Sequence, residues 1–134
     1  MAMPNLTTAL LAVTALAACA ARPLSPHEPP TPKAYVVAEI TVTDVEAYRD
    51  YVRAAFPIIQ RYDGKFLTRG GTTIAVEGTP PAQRVMIIEF ASLDQAKKFE
   101  YSKEYTDIAP LRRSSADSRL FIIEGAADVA AARP

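Results

Sequence analysis

Arg69, Tyr105 and Arg112 are the side chains in this sequence best suited to holding a small anion or a carbonyl oxygen. A guanidinium offers a rigid fork of donors that matches a carboxylate, and a phenol adds one more. Arg69 stands directly before Gly70 and Gly71, and glycine lets backbone N–H groups approach a ligand closely. The same triplet also suits a tight turn or a β-bulge, with Arg69 paired to a carboxylate. Tyr101 and Tyr105 are four apart, on one face if their helix is continuous, with Arg112 and Arg113 further along. The plainer role for these tyrosines is core packing with wet hydroxyls, the arginine lying at the surface. Glu39 and Glu89 are the weak catalytic candidates: a buried carboxyl has its pKa raised toward neutrality and can act as base or acid. The competing role for both is ion pairing with arginine, Arg69 or Arg112.

Other chemistries are excluded by what is missing. His27 is the single histidine and falls in a proline-rich stretch, and the one cysteine, Cys19, precedes it. The segment after the prolines thus lacks histidine catalysis, a histidine haem ligand and the nitrogen and sulfur ligands of zinc or copper sites. No Gly-x-Ser-x-Gly, phosphate loop or dinucleotide fingerprint occurs. No cofactor and no metal are expected. Formal net charge is zero and tryptophan is absent, which argues against nucleic acid as a partner.

The elements that must position the candidate residues can be read from periodicity. Tyr35–Val42 is rich in β-branched residues and reads as a strand. Thr43-Asp44-Val45-Glu46 reads as a capping box opening a helix, with Val45, Tyr48, Val52, Ala55, Phe56 and Ile59 forming its apolar stripe. Pro57 should kink that helix or end its regular part, and Asp63-Gly64 supplies a left-handed stop. Lys65–Arg69 and Thr73–Glu77 are strand-like and flank the glycine pair, as one bulged strand or as a hairpin. Arg84–Phe90 reads as the next strand. Ser92-Leu93-Asp94-Gln95 caps a helix running to about Tyr101. Ser102–Arg113 reads as a helical piece interrupted near Pro110, and Arg119–Glu124 as the last strand. This order is that of an α+β ferredoxin-like βαββαβ fold, an antiparallel sheet with its helices on one face.

The strands carry a further message. A sheet covered on one face alternates apolar with polar residues, and these strands do not. Val36, Ala38, Ile40 and Val42 oppose Tyr35, Val37, Glu39 and Thr41; Phe121 and Ile123 oppose Leu120, Ile122 and Glu124. Both faces are apolar enough to need a cover, and the helices supply only one. A second copy of the sheet is the simplest cover for the other, which implies a homodimer.

The N-terminal part speaks of location. From Leu6 to Ala21 the chain is uncharged and dominated by Ala and Leu, a run shorter than a bilayer span requires. Leu16-Ala17-Ala18-Cys19 resembles a bacterial lipobox, which implies that residues 1–18 are a signal peptide and that Cys19 is lipidated. The n-region departs from the pattern, since no Lys or Arg falls within Met1–Thr8. The alternative is an Ala-rich helix packed on the domain with Cys19 as a buried thiol. Residues 19–33 hold five prolines and suit an extended spacer. The expected organisation is signal 1–18, lipidated cysteine and linker 19–33, domain 34–126 and flexible tail 127–134. It places the domain in the bacterial cell envelope, lipid-anchored and facing the periplasm, or periplasmic or secreted if the lipobox is not used.

Within the domain, several groups of residues together resemble one family. They are Ala34-Tyr35 to Thr43-Asp44, Glu46 with Tyr48 and Tyr51, Tyr62 to Gly71, Glu77-Gly78 and Ile88-Glu89-Phe90. Ser102-Lys103-Glu104-Tyr105, Pro110-Leu111-Arg112 and Glu124-Gly125 complete the set. On these the chain resembles the 1330 family of domains of unknown function. The resemblance implies a dimeric α/β barrel of ferredoxin-like protomers, and it puts Tyr105 and Arg112 in the family motif. That barrel serves monooxygenases, isomerases, haem-handling and stress proteins alike, so fold alone does not choose a function. The expectation is a small anionic or carbonyl-bearing ligand oriented by Arg69, Tyr105 and Arg112. The alternatives are a cofactor-free enzyme of the monooxygenase or isomerase kind, or a structural module without a ligand.

Overall fold

The computed structural model describes residues 30–127. Cys19, the expected signal segment 1–18, most of the expected linker and nearly all of the expected tail lie outside the described residues. The elements run β1 (Ala34–Val42), α1 (Val45–Arg61), β2 (Lys65–Arg69), β3 (Arg84–Phe90), α2 (Leu93–Glu100), α3 (Lys103–Ser115) and β4 (Ala116–Glu124). One four-stranded sheet has the order β2-β3-β1-β4, and every neighbouring pair is antiparallel. This is the expected α+β ferredoxin-like arrangement, with a third helix where a broken helical piece was anticipated.

Helix α1 begins one residue later than its sequence suggests. Asp44, not Thr43, is the N-cap, and its carboxylate accepts from the Ala47 N–H at 3.0 Å. Glu46 does not close a capping box but pairs with Arg49 at 2.7 Å. Pro57 and Pro110 both lie inside continuous helices. Each proline removes one backbone bond, but buried residues flank it on both sides: Ala55 and Ile58 around Pro57, Ala109 and Arg112 around Pro110. Tertiary burial outweighs the ~3 kcal/mol that an interior proline costs. The stop after α1 is made by Asp63 at φ 58°, so the left-handed residue is the aspartate and not Gly64. An Asn or Asp tolerates that region better than other side chains do.

The second half of the expected hairpin does not form. Gly70, at φ 79°, turns the chain away after β2, and its N–H bonds to the Val85 carbonyl at 3.1 Å. Thr73–Glu77 then runs outside the sheet, with Ile74 and Val76 almost wholly exposed. A β-branched run becomes a strand only when an edge receives it. The bulge also falls elsewhere, between Phe66 and Thr68.

Ala34, Val36, Ala38 and Ile40 of β1 and Ile88 and Phe90 of β3 point into the core against Tyr48, Tyr51, Ile58, Ile59, Phe99 and Tyr105. The helical stripe of α1 is rotated from the anticipated one. Tyr51 and Ile58 are inside, while Val45 is 58 % and Val52 37 % exposed. The cause is α3, which packs along the Tyr51 side of α1. Arg61 of α1 reaches Glu104 of α3 at 2.6 Å, and the buried Ser115 carbonyl at the end of α3 accepts from the Thr43 and Asp44 N–H groups. On the far face of the sheet Val37 lies across from Ile87 and Phe121, with Phe121 41 % and Ile123 52 % exposed.

Candidate functional site

A cavity of about 40 Å³ lies between the sheet and the helices. Its floor is apolar, from Val36, Ala38 and Ile40 of β1 and Met86 and Ile88 of β3. The helices bring four polar groups to it: Tyr48 and Tyr51 of α1, Glu100 at the end of α2 and Tyr105 of α3. Each is placed by a local feature of the chain. Ser92 caps α2 by accepting from the Gln95 N–H at 3.1 Å, which fixes the phase that turns Ala96, Phe99 and Glu100 toward the sheet. Ser102 caps α3 in the same way from the Tyr105 N–H at 3.2 Å. The break between α2 and α3 separates Tyr101 from Tyr105: Tyr101 is 77 % exposed, whereas Tyr105 is buried. The shared helical face anticipated for the pair is therefore absent.

The Tyr51 and Tyr105 hydroxyls are 3.0 Å apart. Burial pushes both phenols above their ordinary pKa, against the opposing pull of the Arg112 charge. Arg112 is itself buried, with its guanidinium 5.9 Å from the Tyr51 ring centre. Its Nη1 donates to the Ser118 hydroxyl, while its Nε has no partner. The Glu100 Oε1 is likewise buried without a partner. Burial pushes the Glu100 carboxyl up to about 7, and the Arg112 charge pulls the other way. Buried polar atoms nearly always find a partner, so two orphans in one cluster mark it off from the rest of the core.

Arg69 lines the same cavity from β2. It stays exposed, and its guanidinium stacks 5.0 Å from the centre of Phe56 and 4.7 Å from that of Phe66. It is held by two aromatic faces rather than by a carboxylate. Glu39 and Glu89 lie on the opposite face of the sheet. Glu39 pairs with Arg119 at 2.8 Å and Glu89 with Lys33 at 2.9 Å, so neither meets Arg69, Arg112 or the cavity. Arg113 is exposed. Tyr48, Tyr51 and Glu100 are polar cavity residues beyond the candidates that the sequence offers, the two tyrosines figuring there only in the family resemblance and, for Tyr48, in the apolar stripe. Glu100 follows Ala96 by four and Phe99 by one, a spacing that already sets it beside the apolar stripe of α2.

Residues 33–126 match the family described as a domain of unknown function, DUF1330. The chain belongs to that family. Three solved structures share this DUF1330 chain's fold. A protein of unknown function from Rhodopseudomonas palustris is 19 % identical with a TM-score of 0.59, over 71 % of this chain and 83 % of its own. A hypothetical protein of Arabidopsis thaliana is 10 % identical with a TM-score of 0.55, over 75 % of this chain and 94 % of its own. SnoaB, a cofactor-independent oxygenase from Streptomyces nogalater, is 13 % identical with a TM-score of 0.51, over 69 % of this chain and 92 % of its own. At these identities the likeness is one of fold. No curated protein matches the chain. Among the described residues no cluster of His, Cys, Asp and Glu is arranged to hold a metal ion. No helix among them is long and apolar enough to cross a membrane.

Proposed function

We propose that this DUF1330 domain binds a small anionic or carbonyl-bearing molecule in the cavity beneath α1 and α3. One observation carries the reading: an apolar cavity into which the Tyr51–Tyr105 pair and Glu100 converge, with the buried Arg112 beside them and two of the cluster's polar atoms unpartnered. An apolar hollow with a few convergent polar groups is the usual form of a small-molecule site. The phenol pair and Arg112 orient an oxygen of the ligand, and Arg69 at the rim attracts its charge. The volume suits a molecule of only a few heavy atoms.

The test is thermal unfolding of the soluble domain against pyruvate, acetate and acetylacetone, each at millimolar concentration. A ligand at about a hundred times its Kd adds about 2.7 kcal/mol, a rise in Tm of several degrees. Arg69→Ala and Tyr105→Phe should each shrink that rise. A flat response throughout means that the cavity is a packing feature and that the domain is a structural module.

The open sheet face supports a homodimer, since Val37, Ile87, Phe121 and Ile123 form an apolar surface that a second copy matches. The Leu16–Cys19 pattern and the proline linker support a lipid anchor that holds this dimer at the envelope, facing the periplasm. Incorporation of labelled palmitate that vanishes in Cys19→Ser is the expected result, and equal labelling of both forms excludes the anchor.

A further inference from the structure

We infer that Glu100 is a proton-transfer group for a carbon acid held in this cavity, with the Tyr51–Tyr105 hydroxyl pair donating to the substrate's carbonyl oxygen. The inference rests on the binding reading above and names the chemistry of the same site.

Four observations support it. Glu100 is the one carboxyl among the residues that line the cavity. Its Oε1 is buried and unpartnered, while Glu39, Glu46, Glu89 and Glu104 are all engaged in ion pairs. A lone pair not already committed to a donor is what a base needs. Second, Glu100 and Leu120 line two hollows at once, the inner cavity and an outer cleft of about 260 Å³ beside Tyr101 and Phe121. The carboxyl thus stands in the wall between the inner cavity and the surface, where it can exchange its proton with water between turnovers. Third, in a pair of hydroxyls 3.0 Å apart one O–H donates to the other oxygen, and the second O–H is left to donate to a ligand. Donors fixed before the reaction stabilise a developing oxyanion strongly in a dry site. Fourth, Arg112 adds positive charge next to both phenols.

The titratable and charged groups that act on Glu100 are Tyr51 from α1 and Tyr105 and Arg112 from α3; Tyr48 and Arg69 line the same cavity, to which β1, β3 and β4 present apolar side chains. Burial raises the carboxyl to about 7, so acid and base forms are both available near neutrality. In the step itself the C–H bond beside the carbonyl breaks and its proton forms an O–H bond on Glu100. The electron pair moves into the enolate, whose oxygen accepts from the free tyrosine hydroxyl. Glu100 then returns the proton to the same carbon or to its conjugated neighbour. No oxidant or reductant takes part, so the reaction class is tautomerisation or a 1,3-proton shift.

The experiment is hydrogen–deuterium exchange of pyruvate and acetylacetone in D₂O, followed by NMR with and without the protein, with thermal shift by the same two compounds run in parallel. The native chain should accelerate exchange, with a rate rising through a pH of about 7. Glu100→Gln should lower the catalysed rate by at least about 100-fold and abolish that rise, and Glu100→Asp should restore part of it. Binding without exchange, or an undiminished rate in Glu100→Gln, overturns the inference and leaves the binding reading in place. Neither binding nor exchange with either compound overturns both.

Discussion

The Tyr51 hydroxyl meets the Tyr105 hydroxyl at 3.0 Å, across the contact between α1 and α3 and 54 residues away in sequence. The two are buried to 7 % and 4 % exposure, so neither oxygen has water as a ready substitute. Removing one hydroxyl strands the other. Tyr51→Phe and Tyr105→Phe should each cost about 1–2 kcal/mol in urea unfolding, and the double variant less than their sum. Additive losses would show that the hydroxyls do not interact.

Stability should also depend on pH through Glu100. Its folded-state pKa stands at about 7 against an ordinary 4.5, so between those values the folded chain binds more protons than the unfolded one. Stability from this group is then complete below about 4.5 and falls as pH rises through about 7. The loss is at most about 3 kcal/mol, and smaller because part of the carboxyl meets solvent. Urea titrations at pH 5 and 8 should show the decline in the native chain and its absence in Glu100→Gln.

Gly64 is held by contact and not by backbone strain, because its φ is not positive. A Cβ there would stand 2.7 Å from Ile59 Cγ2 and 3.0 Å from Phe90 Cζ. Gly64→Ala should lower stability by about 1–3 kcal/mol, read as a depressed Tm, because the turn presses directly on the core.

The open sheet face predicts association. Val37 lies in the row Ile87–Val37–Phe121 across three strands. Val37→Lys should leave the protomer folded by circular dichroism and halve the mass seen in sedimentation, since a charge there disturbs only an apposed copy. A dimeric mass kept in the variant would place the contact elsewhere, and a monomeric native domain would overturn the association.

These residues also show what sequence can disclose. The succession of strands and helices along the chain follows from β-branched runs and capping serines, which act locally; Ser92 and Ser102 cap their helices through neighbours three residues on. Tyr105 and Arg112 come to notice through the family resemblance, which puts both in the family motif. The place of Tyr51 in the cavity is not legible, because the phase of α1 is set by α3, which arrives from fifty residues downstream. Glu39 and Glu89 attract attention as charges in apolar strands, yet their nearest opposite charges are across the sheet, at Arg119 and Lys33. The spacing of Glu100 puts it beside the apolar stripe of α2, but its burial in a cavity appears only once α2 is docked. Thr73–Glu77 has the composition of a strand and no edge to join. In each case the missing information is a pairing between distant segments, which periodicity does not contain.

Lys33 and Gly125 close the domain against each other: the Gly125 N–H donates to the Lys33 carbonyl at 2.7 Å, and the adjoining Ala34 and Glu124 are sheet partners. Entry and exit of the fold therefore share one doorway at a strand end. A unit built this way can be spliced into a surface loop of a host protein without stretching either side. The doorway formed by Lys33 and Gly125 also lies outside the set of residues that line the inner cavity, so the fold makes its attachment at one place and its hollow at another.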